Sequence, residues 1–134
     1  MEMIRLAIAP FPYFELSGVD MEREGPSYTV DTLGDLRRRF GPLLELYFII
    51  GVDALAGLPH WREPGRIIEL CRLAVARRPG SQRVDLDGLE RRLPGVSHRV
   101  VAIDNEMFDI NSTDIRRRVA AGVPIDALVP HAVA

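Results

Sequence analysis

Leu46-Tyr47-Phe48-Ile49-Ile50-Gly51-Val52-Asp53 is the stretch that decides the fold. Its first five residues are almost all apolar and favour strands, and the run ends at Gly51. A short run of this kind is typical of a strand that is buried on both faces within a parallel sheet. We therefore expect a buried strand from Leu46 to Ile50 whose carboxyl end presents Asp53.

Further strands and helices follow from the patterns on either side of this run. Apolar runs predict strands at Leu73 to Ala76 and Arg99 to Ile103, and a weak alternation predicts another at Phe14 to Val19. Apolar residues at helical spacing, together with helix start and stop signals, predict the following helices: Glu2 to Ala9, Val30 to Phe40, Pro64 to Cys71, Asp85 to Leu93 and Thr113 to Ala121. The alternation predicts an α/β fold with a mostly parallel sheet and right-handed crossovers. Ligands of such sheets bind beyond the carboxyl ends of the strands.

Composition limits the class of protein. The 134 residues fit a single α/β domain spanning 1–134, and 47% hydrophobic with 27% charged residues is typical of a globular chain. The net charge of -2 argues against coating nucleic acid or an anionic membrane, so we expect neither as a partner. All 17 basic residues are arginine, which excludes lysine Schiff-base chemistry but leaves guanidinium groups for binding phosphate.

The location in the cell is predicted from what the sequence does not contain. Cys71 is the only cysteine and cannot form an intramolecular disulfide, and the chain does not open with a signal-peptide pattern. The most apolar stretch, from Leu43 to Leu58, is interrupted by Glu45 and Asp53, and a spanning helix needs about 20 apolar residues. We therefore expect a cytoplasmic protein without a membrane segment.

The first two strand ends carry candidate binding residues. Asp53 is suited to a ribose hydroxyl or to metal-bound water, and the alternative is that it caps a helix beginning at Ala54. Trp61 is either a core or lid residue or a stacking surface for a flat heterocycle. Arg77 and Arg78 enter a tight turn after the second strand, where they could clamp a phosphate or remain a solvated pair.

The third strand leads to a helix whose beginning is strongly marked. Asn111 or Ser112 can cap it, and Asp114 stands where a capping box places its acidic residue. The run Arg116 to Arg118 is expected in its first turns, where positive charge opposes the helix dipole unless an anion is bound at the N-terminus. We therefore expect a phosphate site here. The alternative is that Asp114 pairs with Arg118 and the other arginines are solvated.

Other chemistries find little support. The sequence contains no Cys-x-x-Cys, His-Glu-x-x-His or Gly-x-Ser-x-Gly motif, which argues against a zinc enzyme or a serine hydrolase. No catalytic residue and no metal ligand is identified from the residues alone.

Taken in order, several motifs resemble those of the bacterial nicotinate-nucleotide adenylyltransferases, over about Ile4 to Val133. They are Gly25-Pro26-Ser27-Tyr28-Thr29-Val30-Asp31-Thr32-Leu33, Tyr47-Phe48-Ile49-Ile50-Gly51-Val52-Asp53-Ala54-Leu55, Pro59-His60-Trp61, Arg77-Arg78-Pro79-Gly80 and Ile110-Asn111-Ser112-Thr113-Asp114-Ile115-Arg116. The resemblance implies a Rossmann-like nucleotidyltransferase fold. It also implies an enzyme of NAD biosynthesis that makes deamido-NAD and pyrophosphate from ATP and nicotinate mononucleotide, with Mg²⁺ accompanying the ATP.

The resemblance also implies roles for individual residues on the mononucleotide side. The backbone amides of Tyr28 and Thr29 would meet the nicotinate carboxylate. Trp61 would stack on the pyridine ring, Asp53 would contact the mononucleotide, and Arg78 would hold its phosphate.

On the ATP side, the resemblance implies that Ser112, Thr113 and Arg116 bind the phosphates. Asn111 stands where the family pattern has a serine. That pattern also opens with a strand, a Gly-rich turn and a His-x-Gly-His signature, none of which precedes Ile4 here. We therefore expect the chain to correspond to the C-terminal, mononucleotide-binding portion of such an enzyme, without the first strand.

That expectation leaves two possibilities for activity and assembly. The first is adenylyl transfer by a nucleotidyltransferase. The alternative is a catalytically silent mononucleotide-binding fragment or one half of a split enzyme. A missing strand would expose a sheet edge and apolar surface, so pairing with a separate N-terminal segment or with a second copy of the chain is expected.

Overall fold

The computed structural model describes residues 1–77, 79–80, 84–106 and 110–134. The helices are α1 (Glu2–Ile8), α2 (Thr29–Phe40), α3 (Val52–Gly57), α4 (Pro64–Leu70), α5 (Leu86–Arg92) and α6 (Ser112–Ala120). The strands are β1 (Tyr47–Gly51), β2 (Arg72–Ala76) and β3 (Val100–Ala102), and short 3₁₀ turns occupy Leu58–His60 and Ser97–Arg99. Every predicted helix is confirmed to within about two residues at each end, which is the usual scatter of helix boundaries.

The strands form a parallel sheet in the order β1-β2-β3. Tyr47 aligns with Arg72 in the first pair of strands, and Leu73 aligns with Val100 in the second. Helices connect the strands, so the predicted α/β fold with a parallel sheet is confirmed. Because the strands are parallel, their carboxyl ends all lie at the same end of the sheet, and α3 begins there directly after β1.

The sheet is buried unevenly. The central strand β2 is covered on both faces, since Leu73, Ala74 and Val75 are all buried. In β1, by contrast, Ile50 is 4% exposed while its neighbour Ile49 is 70% exposed. The prediction that β1 is buried on both faces is therefore wrong. In the described sheet β1 is an edge strand, and only the face that carries Ile50 packs against the core.

The core lies where the helices cover the sheet. It contains residues of α2 to α5, of the sheet and of the segments that connect them: Val30, Leu33, Ile50, Leu55, Leu58, Ile67, Ile68, Cys71, Leu73, Val75, Leu89, Leu93 and Val96. Arg37 ties the end of α2 to its surroundings by donating hydrogen bonds to the carbonyls of Pro42, Leu44 and Leu70. These contacts tie the end of α2 to the loop that leads into β1 and to the end of α4.

The chain divides into two compact units, Val19–Phe108 and a second unit made of Met1–Gly18 with Asp109–Ala134. The first contains the sheet and helices α2 to α5, and the second contains α1 and α6. The single domain expected from chain length stays a prediction. Within the described ranges, no helix is long and apolar enough to cross a membrane.

The predicted strand from Phe14 to Val19 is wrong. The segment forms neither a strand nor a helix, and no described strand pairs with it. A hydrogen-bonded turn precedes it, in which the Phe14 amide donates to the Phe11 carbonyl over 3.1 Å. An alternating sequence becomes a strand only when a neighbour completes the ladder of hydrogen bonds, so local pattern alone was insufficient here.

Candidate functional site

One cavity of the unit Val19–Phe108 collects several of the predicted residues. We call it the tryptophan pocket, and its volume is about 310 Å³. It is lined by Ser27, Tyr28, Thr29, His60, Trp61, Arg62 and Ile67. The structure therefore brings Tyr28, Thr29 and Trp61 together, although Trp61 lies more than thirty positions further along the chain.

The N-terminus of α2 opens at this pocket. Tyr28 is the N-cap residue, with an extended backbone, and its carbonyl accepts hydrogen bonds from the amides of Asp31 and Thr32 at 3.0 and 3.2 Å. No side chain caps the helix, and the amides of Thr29 and Val30 have no acceptor within it because the first turn of a helix supplies none. Unfilled amides and the positive end of the helix dipole suit this end of α2 to an anion.

Trp61 packs against the core and also lines the tryptophan pocket. Its amide donates to the Leu58 carbonyl over 3.0 Å, which closes the 3₁₀ turn. Its ring lies edge-on to Phe48, with 6.1 Å between the ring centroids, and packs against the core. The same side chain lines the tryptophan pocket, so the core anchors a ring that can offer a surface to a flat ligand.

Arg62 is a pocket residue that sequence reasoning missed. Its guanidinium carbon lies 4.6 Å from the centroid of the Tyr28 ring, a cation–π contact. The available signal was its position directly after Trp61. His60, which carried little weight in the sequence, also lines the pocket, and its Nε2 lies 3.0 Å from an Arg92 guanidinium nitrogen.

Asp53 lies at the carboxyl end of β1 and does not line the tryptophan pocket. It is the second residue of α3, whose N-cap is Gly51, and its side chain makes no capping hydrogen bond. The interpretation of Asp53 as the cap of a helix beginning at Ala54 is therefore wrong. Its carboxylate is exposed and has no hydrogen bond or ion pair with another described residue, so it is free to accept from a ligand.

The turn after β2 is described only in part. Arg78, the predicted phosphate ligand, lies outside the described residues. The backbone beside it is well anchored, since Asn105 accepts from the Arg77 amide and donates to the Arg77 carbonyl, each over 3.0 Å. The role of Arg78 stays a prediction.

A second cavity lies in the other unit, at the start of α6. We call it the α6 pocket, and its volume is about 410 Å³. It is lined by Asn111, Thr113, Asp114, Arg117 and Arg118. Of the predicted phosphate ligands it contains Thr113 but neither Ser112 nor Arg116.

Asn111 caps α6, which confirms the first of the two predicted caps, Asn111 and Ser112. Its side-chain oxygen accepts from the Asp114 amide over 2.8 Å. The Asp114 carboxylate does not return a bond to the cap but pairs with Arg117 and, over 2.7 Å, with Arg118. These arginines, Arg118 foremost, lower the pKa of Asp114.

The dipole argument for a phosphate at α6 is wrong. Because the helix is only nine residues long, Arg117 and Arg118 fall in its last turn, where positive charge is favourable. Arg116 differs from both because it has no ion pair with a described residue, and like Arg117 it is exposed. Its free charge, and not a conflict with the dipole, is what makes it available to an anion.

Among the residues that the structure describes, no group of three His, Cys, Asp or Glu side chains could hold a metal ion. Mg²⁺ commonly binds through one or two carboxylates together with substrate phosphates. The exposed Asp53 carboxylate fits this mode of binding, in which substrate phosphates supply the other ligands of the ion.

The parallel sheet and the helices that connect its strands define an α/β protein. A family model described as cytidylyltransferase-like matches residues 1–118, and the chain belongs to this family. A solved structure of the Plasmodium falciparum nicotinic acid mononucleotide adenylyltransferase complexed with APC has a similar fold. Its TM-score is 0.58 at 18% identity, and the match covers 82% of this chain and 55% of that one.

Curated relatives are closer in sequence. The chain is 41% identical, over all of its 134 residues, to a probable nicotinate-nucleotide adenylyltransferase of Dehalococcoides mccartyi, and the match covers 66% of that protein. It is 47% identical over 131 residues to a protein of the same name from Roseiflexus sp., with 98% of this chain and 64% of the relative covered. The resemblance inferred from the motifs is thus confirmed, and the chain spans a little under two thirds of the length of these relatives.

Proposed function

We propose that the protein transfers the adenylyl group of ATP to nicotinate mononucleotide, giving deamido-NAD and pyrophosphate. The observation that carries the proposal is the tryptophan pocket, in which an aromatic ring and the uncapped N-terminus of α2 share one cavity of about 310 Å³. A flat ring that bears a carboxylate is complementary to both features. The names of the curated relatives support the same substrate.

On the mononucleotide side, each residue has the role that the family resemblance implies. Trp61 stacks on the pyridine ring, and the backbone amides of Tyr28 and Thr29 meet the carboxylate. Asp53, exposed at the end of β1, accepts a hydrogen bond from a hydroxyl of the mononucleotide. Arg78 holds the phosphate.

On the ATP side, the ligands are Ser112, Thr113 and Arg116. The Asp114 amide is already bonded to Asn111, which leaves the first two amides of α6 for phosphate oxygens. Arg116 supplies a guanidinium that no described carboxylate neutralises. Mg²⁺ accompanies the ATP and offsets the charge of its phosphates.

The reaction is an in-line attack by the phosphate oxygen of the mononucleotide on the α-phosphorus of ATP. A bond forms between these atoms, and the bond from the α-phosphorus to the bridging oxygen of pyrophosphate breaks. No covalent nucleophile is required, so the residues act by positioning the two phosphates and stabilising their charge.

The test measures pyrophosphate and deamido-NAD formed by the chain with Mg-ATP and nicotinate mononucleotide. CTP replaces ATP in one parallel reaction, and nicotinamide mononucleotide replaces the acceptor in another. Asp53→Ala is expected to lower turnover about tenfold or more, the loss that follows from one hydrogen bond to a charged group. Asp87→Ala is the matched control, because Asp87 is likewise an exposed carboxylate in the first turn of a short helix.

A parallel titration separates binding from turnover. Trp61 is the only tryptophan, so quenching of its fluorescence reports the mononucleotide directly. Turnover with ATP that falls in Asp53→Ala but not in Asp87→Ala supports the proposal. Quenching without turnover favours the silent mononucleotide-binding fragment, and turnover with CTP instead of ATP identifies a different nucleotide, so either result overturns it. The absence of both quenching and turnover refutes the substrate itself.

A further inference from the structure

We infer that the Arg62 side chain is a specificity-determining residue, which makes the tryptophan pocket prefer a pyridine ring that bears a carboxylate over one that bears an amide. The inference rests on the proposed function and adds to it a side chain for which no role was predicted from the sequence. Three observations support it: the position of the guanidinium, the weakness of its ion pairs, and the chemistry of the two rings.

Arg62 is held at the pocket by an aromatic contact. Its guanidinium carbon lies 4.6 Å from the centroid of the Tyr28 ring, and Tyr28 is the residue that opens α2. This contact places a cation against the side chain of the N-cap residue of the helix, and both residues line the tryptophan pocket. A stacked guanidinium still has its N–H groups at the edge of the plane, where they can donate to a ligand.

The positive charge of Arg62 is only weakly neutralised within the described structure. Its Nε lies 3.9 Å from the Glu63 carboxylate, too far for a hydrogen bond, and that carboxylate is shared with Arg66 at 3.8 Å. Arg62 is also the only arginine among the residues that line the pocket. Its donors are therefore available for a ligand.

The backbone also changes direction immediately after Arg62. Glu63 has a φ of 48°, a left-handed conformation that is unfavourable for residues other than glycine and is found more often at functional sites. This conformation belongs to the N-cap of α4, so the residue after Arg62 is fixed by the start of a helix. The position of Arg62 is thus constrained by its own ring contact and by its neighbour.

The two candidate rings differ in a way that this cation can detect. A nicotinate carboxylate accepts charge-assisted hydrogen bonds from a guanidinium. A nicotinamide group offers one neutral carbonyl, and its NH₂ group is a donor that would meet the positive end of α2 and the Arg62 cation. Arg62 therefore favours the acid over the amide.

The test compares both mononucleotides by Trp61 fluorescence titration in the wild type, Arg62→Gln, Arg62→Lys and Arg66→Gln. Arg62→Gln is expected to weaken nicotinate mononucleotide binding about tenfold, because a half-exposed guanidinium contributes at the low end for a charge-assisted bond. Binding of nicotinamide mononucleotide is expected to stay within about twofold, since its neutral group gains little from the cation. Arg62→Lys keeps the charge and should retain most of the preference.

Arg66→Gln is the matched control. It removes one positive charge from the same carboxylate partner, at a side chain of similar exposure that does not line the pocket. Its preference should equal that of the wild type. Equal losses for both mononucleotides in Arg62→Gln would show a structural role and overturn the inference, as would the same change of preference in Arg66→Gln. If the wild type binds neither mononucleotide, the proposed function itself fails, and that result is distinct from both.

Discussion

Replacing either of two adjacent isoleucines in β1 should affect stability very differently. Ile50→Ala removes roughly three methylene equivalents from a side chain that is 4% exposed, which costs about 2.4 kcal/mol in transfer free energy. The cavity left behind raises the expected loss to about 3 kcal/mol. Ile49 is 70% exposed, so the same reasoning gives only about 0.7 kcal/mol for Ile49→Ala.

Both variants also lose the preference of isoleucine for strands, a cost of up to about 1 kcal/mol that is similar at adjacent positions. The difference between the two free energies of unfolding should therefore be about 2 kcal/mol. Urea denaturation followed by Trp61 fluorescence and far-ultraviolet circular dichroism measures it, with equal m-values required for a valid comparison. Equal losses in the two variants would refute one-sided burial of β1 and show that something covers the face of Ile49.

Three further predictions follow from individual contacts. Asn111→Ala should destabilise α6 by about 0.5–2 kcal/mol, measured by hydrogen exchange, while Asn111→Ser should largely preserve the cap. Hydrogen bonds from the amides of Gly95 and Ser97 and from the Ser97 hydroxyl lower the pKa of Glu90 to about 2 from its usual 4.5. Its contribution to stability is therefore complete above about pH 4.5 and is lost as the pH falls towards 2, so Glu90→Gln should flatten this limb in acid denaturation curves. Burial raises the pKa of the Cys71 thiol to about 11, so iodoacetamide should leave it unmodified in the native protein at mildly alkaline pH and alkylate it in urea; rapid native labelling would contradict its burial.

The sequence predicted the elements of this fold better than their environment. The run from Leu46 to Ile50 was correctly identified as a strand, because β-branched and aromatic residues between turn signals are a local property. Burial of Ile49 was not predictable, because it depends on what lies beyond the strand. The strand predicted from Phe14 to Val19 was wrong for the same reason, because an alternating segment forms a strand only if another strand lies alongside it.

In the candidate site, too, local features were predicted and features that depend on distant residues were not. The helix start at Asn111 is local and was correctly predicted. The end of the helix was also predicted to within one residue, at Ala121 against the observed Ala120, but the dipole argument counted Arg117 and Arg118 in the first turns of a helix that is only nine residues long. The contact between Arg62 and Tyr28 joins two separate segments, so no local pattern contained it.

The arginines of this lysine-free chain lie in different electrostatic environments. Arg37 is fully engaged with backbone carbonyls, and Arg23 faces the carboxylates of three nearby aspartates, so both serve the fold. Arg62 and Arg116 are exposed and have weak ion pairs or none with described residues. A guanidinium cannot lose its charge at physiological pH, so such groups either remain solvated or bind an anion. Arg62 directly precedes the N-cap of α4, and Arg116 lies within α6. Anion binding is the role that the proposed function gives to both, since the two substrates of the proposed reaction are anions.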